Sequence, residues 1–192
     1  MLATLTVETE TELVLKARQG DRNAYGEIIR RHHQGVVHIV YRMCGDVQLA
    51  EDAAQETFLR AWLRLTSFRP DTSLRNWLYR IAVNYALDSL RRKPQESVDD
   101  EETLMVTDQA PGPEAALIEK EQVELLQRGM QALPEASRSV LVLREYGELS
   151  YQEIATILDI PVGTVMSRLN YARNRLREVL KAQMLHKENE YV

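Results

Sequence analysis

Between Leu149 and Leu180 the apolar residues recur at helical spacing with a single break, and that pattern restricts the segment to two short helices joined by a tight turn. Ser150, followed three residues later by Glu153, forms the pattern of a capping box, in which each side chain satisfies a backbone N–H left unpaired by the first helical turn. Ile154, Leu158 and, across the break, Ile160 supply a buried side, and Ala155 is small enough for a second helix to cross closely. Asp159 to Gly163 interrupts the period, because Pro161 has no amide to donate and disfavours helix at the residue before it. The second helix has an apolar side at Val165, Leu169, Ala172, Leu176 and Val179 or Leu180. Its other side shows Thr164, Ser167, Asn170, Tyr171 and Asn174, flanked by Arg168, Arg173 and Arg177. The pattern is that of a helix-turn-helix, with groups able to hydrogen-bond base edges and phosphates where a recognition helix enters a major groove.

A helical hairpin with a solvated basic face is the competing account, and charge argues against it. From Gly163 to Lys181 there are five basic residues against one acidic, in a chain whose net charge is -5. A basic stripe on an acidic protein fits a polyanion. The negative total comes from the middle. Residues 98 to 120 carry seven acidic residues against one basic, whereas 1 to 97 are slightly positive and 121 to 192 nearly neutral.

The 192 residues permit one or two domains with a true core. No run approaches the roughly 18 apolar residues of a membrane span, and the opening residues lack the basic and apolar regions of a leader, so a cytoplasmic protein without membrane insertion is expected. A single cysteine, Cys44, excludes an internal disulfide framework and suits a small core position. Strand-like alternation is nearly absent, which predicts an all-α chain.

Helices are expected over residues 9 to 20, around Leu13, Val14 and Ala17, and from Arg22 to Cys44. Gly45 fits the left-handed end of the second, with Asp46 as the next cap. His32, His33 and His38 lie there without the i, i+4 spacing of a metal face, and no metal or cofactor is expected. The next helix, Ala50 to Leu65, turns Ala54, Phe58, Ala61, Trp62 and Leu65 inward, and Glu51, Asp52, Gln55, Glu56 and Arg60 outward. That outer face serves either solvation or a basic partner helix. Ser67 to Ser73 reads as a loop. From Leu74 to Lys93, Leu74, Leu78, Ile81 and Tyr85 read as buried, while Trp77, Arg80, Asn84 and Arg91 share another face. An aromatic ring beside Arg and Asn suits unstacked bases, although a core tryptophan with arginine at its rim accounts for the spacing equally well. Pro94 to Pro113 reads as an extended acidic linker. Beyond it, one helix stacks Leu126, Met130 and Leu133, and another opens at Pro134 and carries Ala136, Val140 and Leu143.

Two blocks at this separation resemble the group 4, or extracytoplasmic function, sigma factors of bacterial RNA polymerase, within the sigma-70 family. The first runs from Ala50 to Arg92, with the D-x-x-Q-E-x-F motif at Asp52 to Phe58 and the F-R to W-L-Y-R-I-A-x-N stretch at Phe68 to Asn84. The second, Leu133 to Arg168, is similar to region 4. The resemblance implies an all-α fold of two small helical domains, with region 2 over 1–93, a linker over 94–113 and region 4 over 114–192. It implies an alternative sigma factor without catalytic activity. Asp52, Gln55 and Glu56 would bind the clamp helices of the β′ subunit of core RNA polymerase. Phe68, Arg69, Ser73, Arg75, Trp77, Arg80 and Asn84 would meet the −10 element of promoter DNA. Thr164, Ser167, Arg168, Asn170, Tyr171 and Arg173 would enter the −35 major groove, with region 4 on the β flap. An anti-sigma factor, often membrane-bound in this group, would hold the chain inactive. Met166 and the pair Asn170-Tyr171 depart from the basic residues usual there, which affects the bases read and leaves the fold intact. Two other functions compete: a dimeric regulator that binds its operator alone, and a metal-dependent hydrolase built on the histidines.

Overall fold

The computed structural model describes residues 8–69, 72–92 and 113–190, with side chains described for residues 8–69, 72–92 and 122–182. Eight α-helices occur in this part of the chain: α1 (Glu10–Arg18), α2 (Arg22–Cys44), α3 (Val47–Arg64), α4 (Leu74–Arg92), α5 (Pro113–Gln131), α6 (Glu135–Glu145), α7 (Tyr151–Leu158) and α8 (Val162–Glu190). A 3-10 turn at Leu65–Ser67 closes α3. Among the described residues there is no strand. Pro70 and Asp71 of the expected loop and residues 93–112 of the expected linker lie outside the described residues.

The helix ends follow local chemistry. Asp21 caps α2 by accepting from the amides of Asn23 and Ala24, and Asp46 caps α3 by accepting from Leu49. Between them Gly45 ends α2 at φ 75°, a left-handed conformation that glycine adopts without a Cβ clash. Reciprocal capping boxes close the starts of α1, through Thr9 and Glu12, and α7, through Ser150 and Glu153. The turn after α7 is made by Asp159, left-handed at φ 53°, and not by Pro161 alone. Pro161 instead opens α8, its carbonyl accepting from Thr164 and Val165. Ser150→Ala should cost about 1 kcal/mol, read as faster amide exchange confined to α7 and the turn, because both hydroxyl bonds of the box vanish while the buried face is untouched.

In the first half α2 is the central helix, packed by α1, α3 and α4; in the second, α8 lies across α5, α6 and α7. Leu13, Ile28, Val36, Val40, Met43, Ala54, Phe58 and Leu78 are among the buried residues of the first. Met130, Leu133, Val140, Leu143, Ile154, Val165 and Leu169 are buried in the second. Each large side chain withdrawn from water contributes about 1.5–3 kcal/mol.

Three inward faces differ from the expectation. In α4, Leu74 and Leu78 are buried as expected, but Tyr79, Ala82, Val83 and Ala86 complete the stripe, and Ile81 and Tyr85 are only half-buried. The small residues let the α4 backbone approach α2 and α3 closely, so the helix is rotated relative to a stripe chosen by side-chain size. In α6, Ala136 is exposed and Ser137, Arg138 and Ser139 are buried. Ser139 donates to the Glu135 carbonyl, and Arg138 donates to the carbonyls of Gln131 and Leu133, satisfying the end of α5. In α7, Ile157 is buried and Leu158 and Ile160 are half-buried.

Candidate nucleic-acid and polymerase interfaces

The exposed side of α8 begins immediately after the turn. Ser167, Asn170 and Tyr171 are exposed, Thr164 and Arg168 are half-buried, and Val165, Leu169 and Ala172 point into the core. Ser167 donates to the Thr164 carbonyl at 3.1 Å. Asn174 donates to Asn170 at 3.4 Å, and Arg177 donates to Asn174 at 3.1 Å, so a line of amides and guanidinium runs along the outer surface. Arg173 is exposed at the edge of this face, three residues from Asn170 and on the side of the helix opposite Thr164. Its guanidinium bonds Glu145 of α6 at 2.7 and 3.1 Å, and that carboxylate raises its pKa.

Arg173 also edges a groove of about 450 Å3 bounded by α5, α6 and α8. Leu126, Met130, Leu141, Leu176 and Leu180 line its floor and walls, with Arg177 and Lys181 at the rim. An apolar trough with a basic rim suits an amphipathic helix.

The second surface lies along α4 and the loop before it. Arg80 and Asn84 are exposed, and Arg75 and Trp77 are half-buried, spread from the start of the helix to its middle. Trp77 tilts against Phe68, ring centroids 5.1 Å apart. Phe68 is only 5% exposed, so its ring supports Trp77 from beneath and does not offer a face to bases. It ends the 3-10 turn, where an apolar ring is drawn into the core. Arg18 of α1 fixes that turn by donating to the carbonyls of Leu65 and Phe68. Arg69 and Ser73 are exposed on either side of the undescribed pair. Thr72 donates through its hydroxyl and its amide to the Arg69 carbonyl, at 2.8 and 3.1 Å, and Ser73 accepts from the Asn76 amide at 3.5 Å.

The third surface is the outer side of α3. Asp52 and Gln55 are exposed and Glu56 is half-buried, bound to Arg60 at 2.6 Å. Leu59 and Leu63 continue the same line toward the C-terminus of the helix, exposed by 55% and 72%. They were missed in the sequence, although two leucines four apart and outside the core stripe carry the signal. Acidic groups at one end and bare leucines at the other form an amphipathic strip on a rigid helix.

The histidines are engaged elsewhere. His32 bonds Glu10 at 2.9 Å, His33 approaches Glu51 at 3.4 Å, and His38 packs on Tyr146 at 5.3 Å. Burial, then the nearby Arg42 charge, lower the pKa of His38, so the ring is neutral at neutral pH. Cys44 donates to the Asp46 carbonyl, and burial pushes its thiol up to about 11, leaving it a poor nucleophile. No three His, Cys, Asp or Glu side chains among the described residues gather as metal ligands.

Residues 28–95 match the family model for sigma-70 region 2, and residues 124–176 match that for sigma-70 region 4. The chain is 38% identical to the ECF RNA polymerase sigma factor SigW of Bacillus subtilis over 88% of its length and 95% of that protein. It belongs to the extracytoplasmic function sigma factors. The RNA polymerase sigma-H factor of Pseudomonas aeruginosa is 36% identical over 92% of the chain and 96% of its own length. Among solved structures, CnrH in complex with the cytosolic domain of CnrY is similar with a TM-score of 0.66 and 27% identity, covering 88% of this chain and 96% of CnrH. As a member of this family the chain is an alternative sigma factor, which directs core RNA polymerase to promoters, and sigma factors are non-catalytic initiation factors. In this sigma factor the α3 and α4 surfaces fall within region 2, and the α8 surface within region 4. No helix among the described residues is long and apolar enough to cross a membrane.

Proposed function

We propose that the three surfaces divide the work of initiation. The α3 strip of Asp52, Gln55 and Glu56, extended by Leu59 and Leu63, binds the β′ clamp helices of core polymerase. The α4 surface of Arg75, Trp77, Arg80 and Asn84, with Arg69 and Ser73 on the adjoining loop and Phe68 as its support, holds unstacked bases of the −10 element. The start of α8, with Thr164, Ser167, Arg168, Asn170 and Tyr171, and with Arg173 at its edge, reads the −35 major groove. The groove between α5, α6 and α8 receives a helix of the β flap. Region 2 occupies 1–93, the linker 94–113 and region 4 the remainder. The chain works in the cytoplasm under an anti-sigma factor, and the CnrH complex with a cytosolic domain of a second protein supports control by a partner of that kind.

One observation carries this reading: Ser167, Arg168, Asn170 and Tyr171 lie outside the buried stripe at the start of a helix seated after a capped first helix, the geometry by which side chains reach base edges. The test is run-off transcription with purified core polymerase on DNA bearing the chain's own promoter. Initiation requires both polymerase and the chain. Arg168→Ala and Asn170→Ala each weaken use of the −35 element by about 1–3 kcal/mol with core binding unchanged. Equal losses on promoters with scrambled −35 sequences would remove the base-reading role. Promoter binding by the chain alone, without effect on core initiation, would replace the whole reading with a conventional operator-binding regulator.

A further inference from the structure

Met166, Asn170, Asn174 and Arg177 follow one another on α8 at spacings of four, four and three, so they stand in one exposed row along the helix. Arg177 donates to Asn174 Oδ1 at 3.1 Å, and Asn174 donates to Asn170 Oδ1 at 3.4 Å. A guanidinium only donates, which sets the direction of this chain and turns the Asn170 amino group away from Asn174. Met166 is the N-terminal end of the row and its one apolar member, 54% exposed. Long side chains of a helix lean back over the turn before them. For Met166 that turn holds Gly163, which is exposed and has nothing within 4 Å of the place a Cβ would take, so the thioether faces open space.

We infer that Met166 is a specificity residue: it reads the 5-methyl group of a thymine in the −35 element, beside the base that Asn170 holds. The inference rests on the assignment of the start of α8 to that element. A recognition helix meets base edges with its N-terminal residues. The row follows the same order in its chemistry, with a guanidinium suited to phosphate at the far end, amides in the middle and a thioether at the N-terminal end. A thioether donates nothing and accepts only weakly, so it gains little from the polar edges of guanine, cytosine or adenine, or from a phosphate. The 5-methyl of thymine is the apolar group that base edges present in the major groove.

Asn170 supplies the complementary half of the reading. An asparagine amide matches adenine, donating to N7 and accepting from the N6 amino group. Its Oδ1 keeps a second lone pair beside the long bond from Asn174. One helical turn rises about 5.4 Å and stacked base pairs lie about 3.4 Å apart, so Met166 and Asn170 reach the same or neighbouring pairs. Together they select a step that carries an adenine and a thymine methyl. Packing of the thioether on deoxyribose is the competing contact, and it carries no base preference because every nucleotide has the sugar.

The experiment uses holoenzyme assembled from core polymerase and the full chain, on the chain's own promoter, with each thymidine of the −35 element on either strand replaced in turn by deoxyuridine. Deoxyuridine keeps every hydrogen-bonding group of thymidine and lacks only the methyl. At one position the replacement lowers promoter affinity about four-fold, the factor expected for one apolar carbon withdrawn from water. With Met166→Ala, whose side chain ends at Cβ, the same replacement changes affinity by less than about 1.5-fold, and Met166→Leu restores the response. An equal loss with Met166→Ala overturns the inference, because another group then senses the methyl. Indifference to deoxyuridine at every position, or an element without an A·T pair, overturns it too. If scrambling the −35 element still lowers affinity in those cases, Asn170 and the −35 assignment stand and Met166 packs on sugar. If scrambling has no effect, the −35 assignment itself fails and the inference falls with it.

Discussion

Replacing Leu59 and Leu63 together by aspartate weakens binding to core polymerase by about 2–4 kcal/mol, roughly 30-fold to 1,000-fold, while the melting temperature of the free chain barely moves. The asymmetry follows from exposure. At 55% and 72% exposed, these side chains contribute little to the folded monomer, and substitution at such positions changes stability by about 0.5 kcal/mol or less. At a polymerase interface the same leucines are desolvated, and a carboxylate there loses its hydration without gaining a partner. Asp52→Arg should act on the same surface by charge, with a loss that shrinks as salt is raised, whereas the leucine effect persists at high salt. Calorimetric titration of core polymerase with each variant separates the two. Unchanged affinity of the double aspartate variant would remove α3 from the polymerase contact.

Those leucines show where the sequence was readable and where it was not. Helix ends were legible because their causes are local: the Gly45–Asp46 and Ser150–Glu153 patterns each act within four residues. The outward side of α8 was legible because Val165, Leu169 and Ala172 fix its inward side, which leaves Ser167 and Asn170 outside. The inward face of α4 was not. Ile81 and Tyr85 are the bulkier candidates, yet Ala82, Val83 and Ala86 are buried, because closeness of helix approach decided the packing. That choice depends on α2 and α3, and no property of α4 alone encodes it.

The contacts of Arg173 and Phe68 were illegible for a related reason. Arg173 reaches Glu145 of α6, and Phe68 packs beneath Trp77, and neither partner is marked by the local pattern. Docking of the two halves was equally invisible, since Gln127 and Asn76 sit in sequence among ordinary polar helix residues. Their partners, the Tyr41 carbonyl and Glu153, lie 86 and 77 positions away.

Leu169→Ala should destabilise the second half by about 2–5 kcal/mol, the cost of a cavity where a fully buried leucine stood. Leu169 is 2% exposed and sits between Val165 and Ala172 on the stripe by which α8 packs on its neighbours. For a cooperative unit of this size the loss lowers the melting temperature by roughly 8–40 °C. Met166→Ala, one turn away on the same helix, is the internal control. Met166 is 54% exposed, so its truncation should cost about 0.5 kcal/mol or less. The functional consequence is selective, because the α3 strip proposed to bind polymerase belongs to the other half. Above the melting point of the Leu169→Ala variant's second half, the chain still binds core polymerase through region 2 but loses initiation that depends on the −35 element. Differential scanning calorimetry paired with transcription at two temperatures reads both effects. A single transition in which both halves melt together, with polymerase binding lost in parallel, would show that the contacts between the halves, Gln127 with Tyr41 and Asn76 with Glu153 among them, couple the two into one unit.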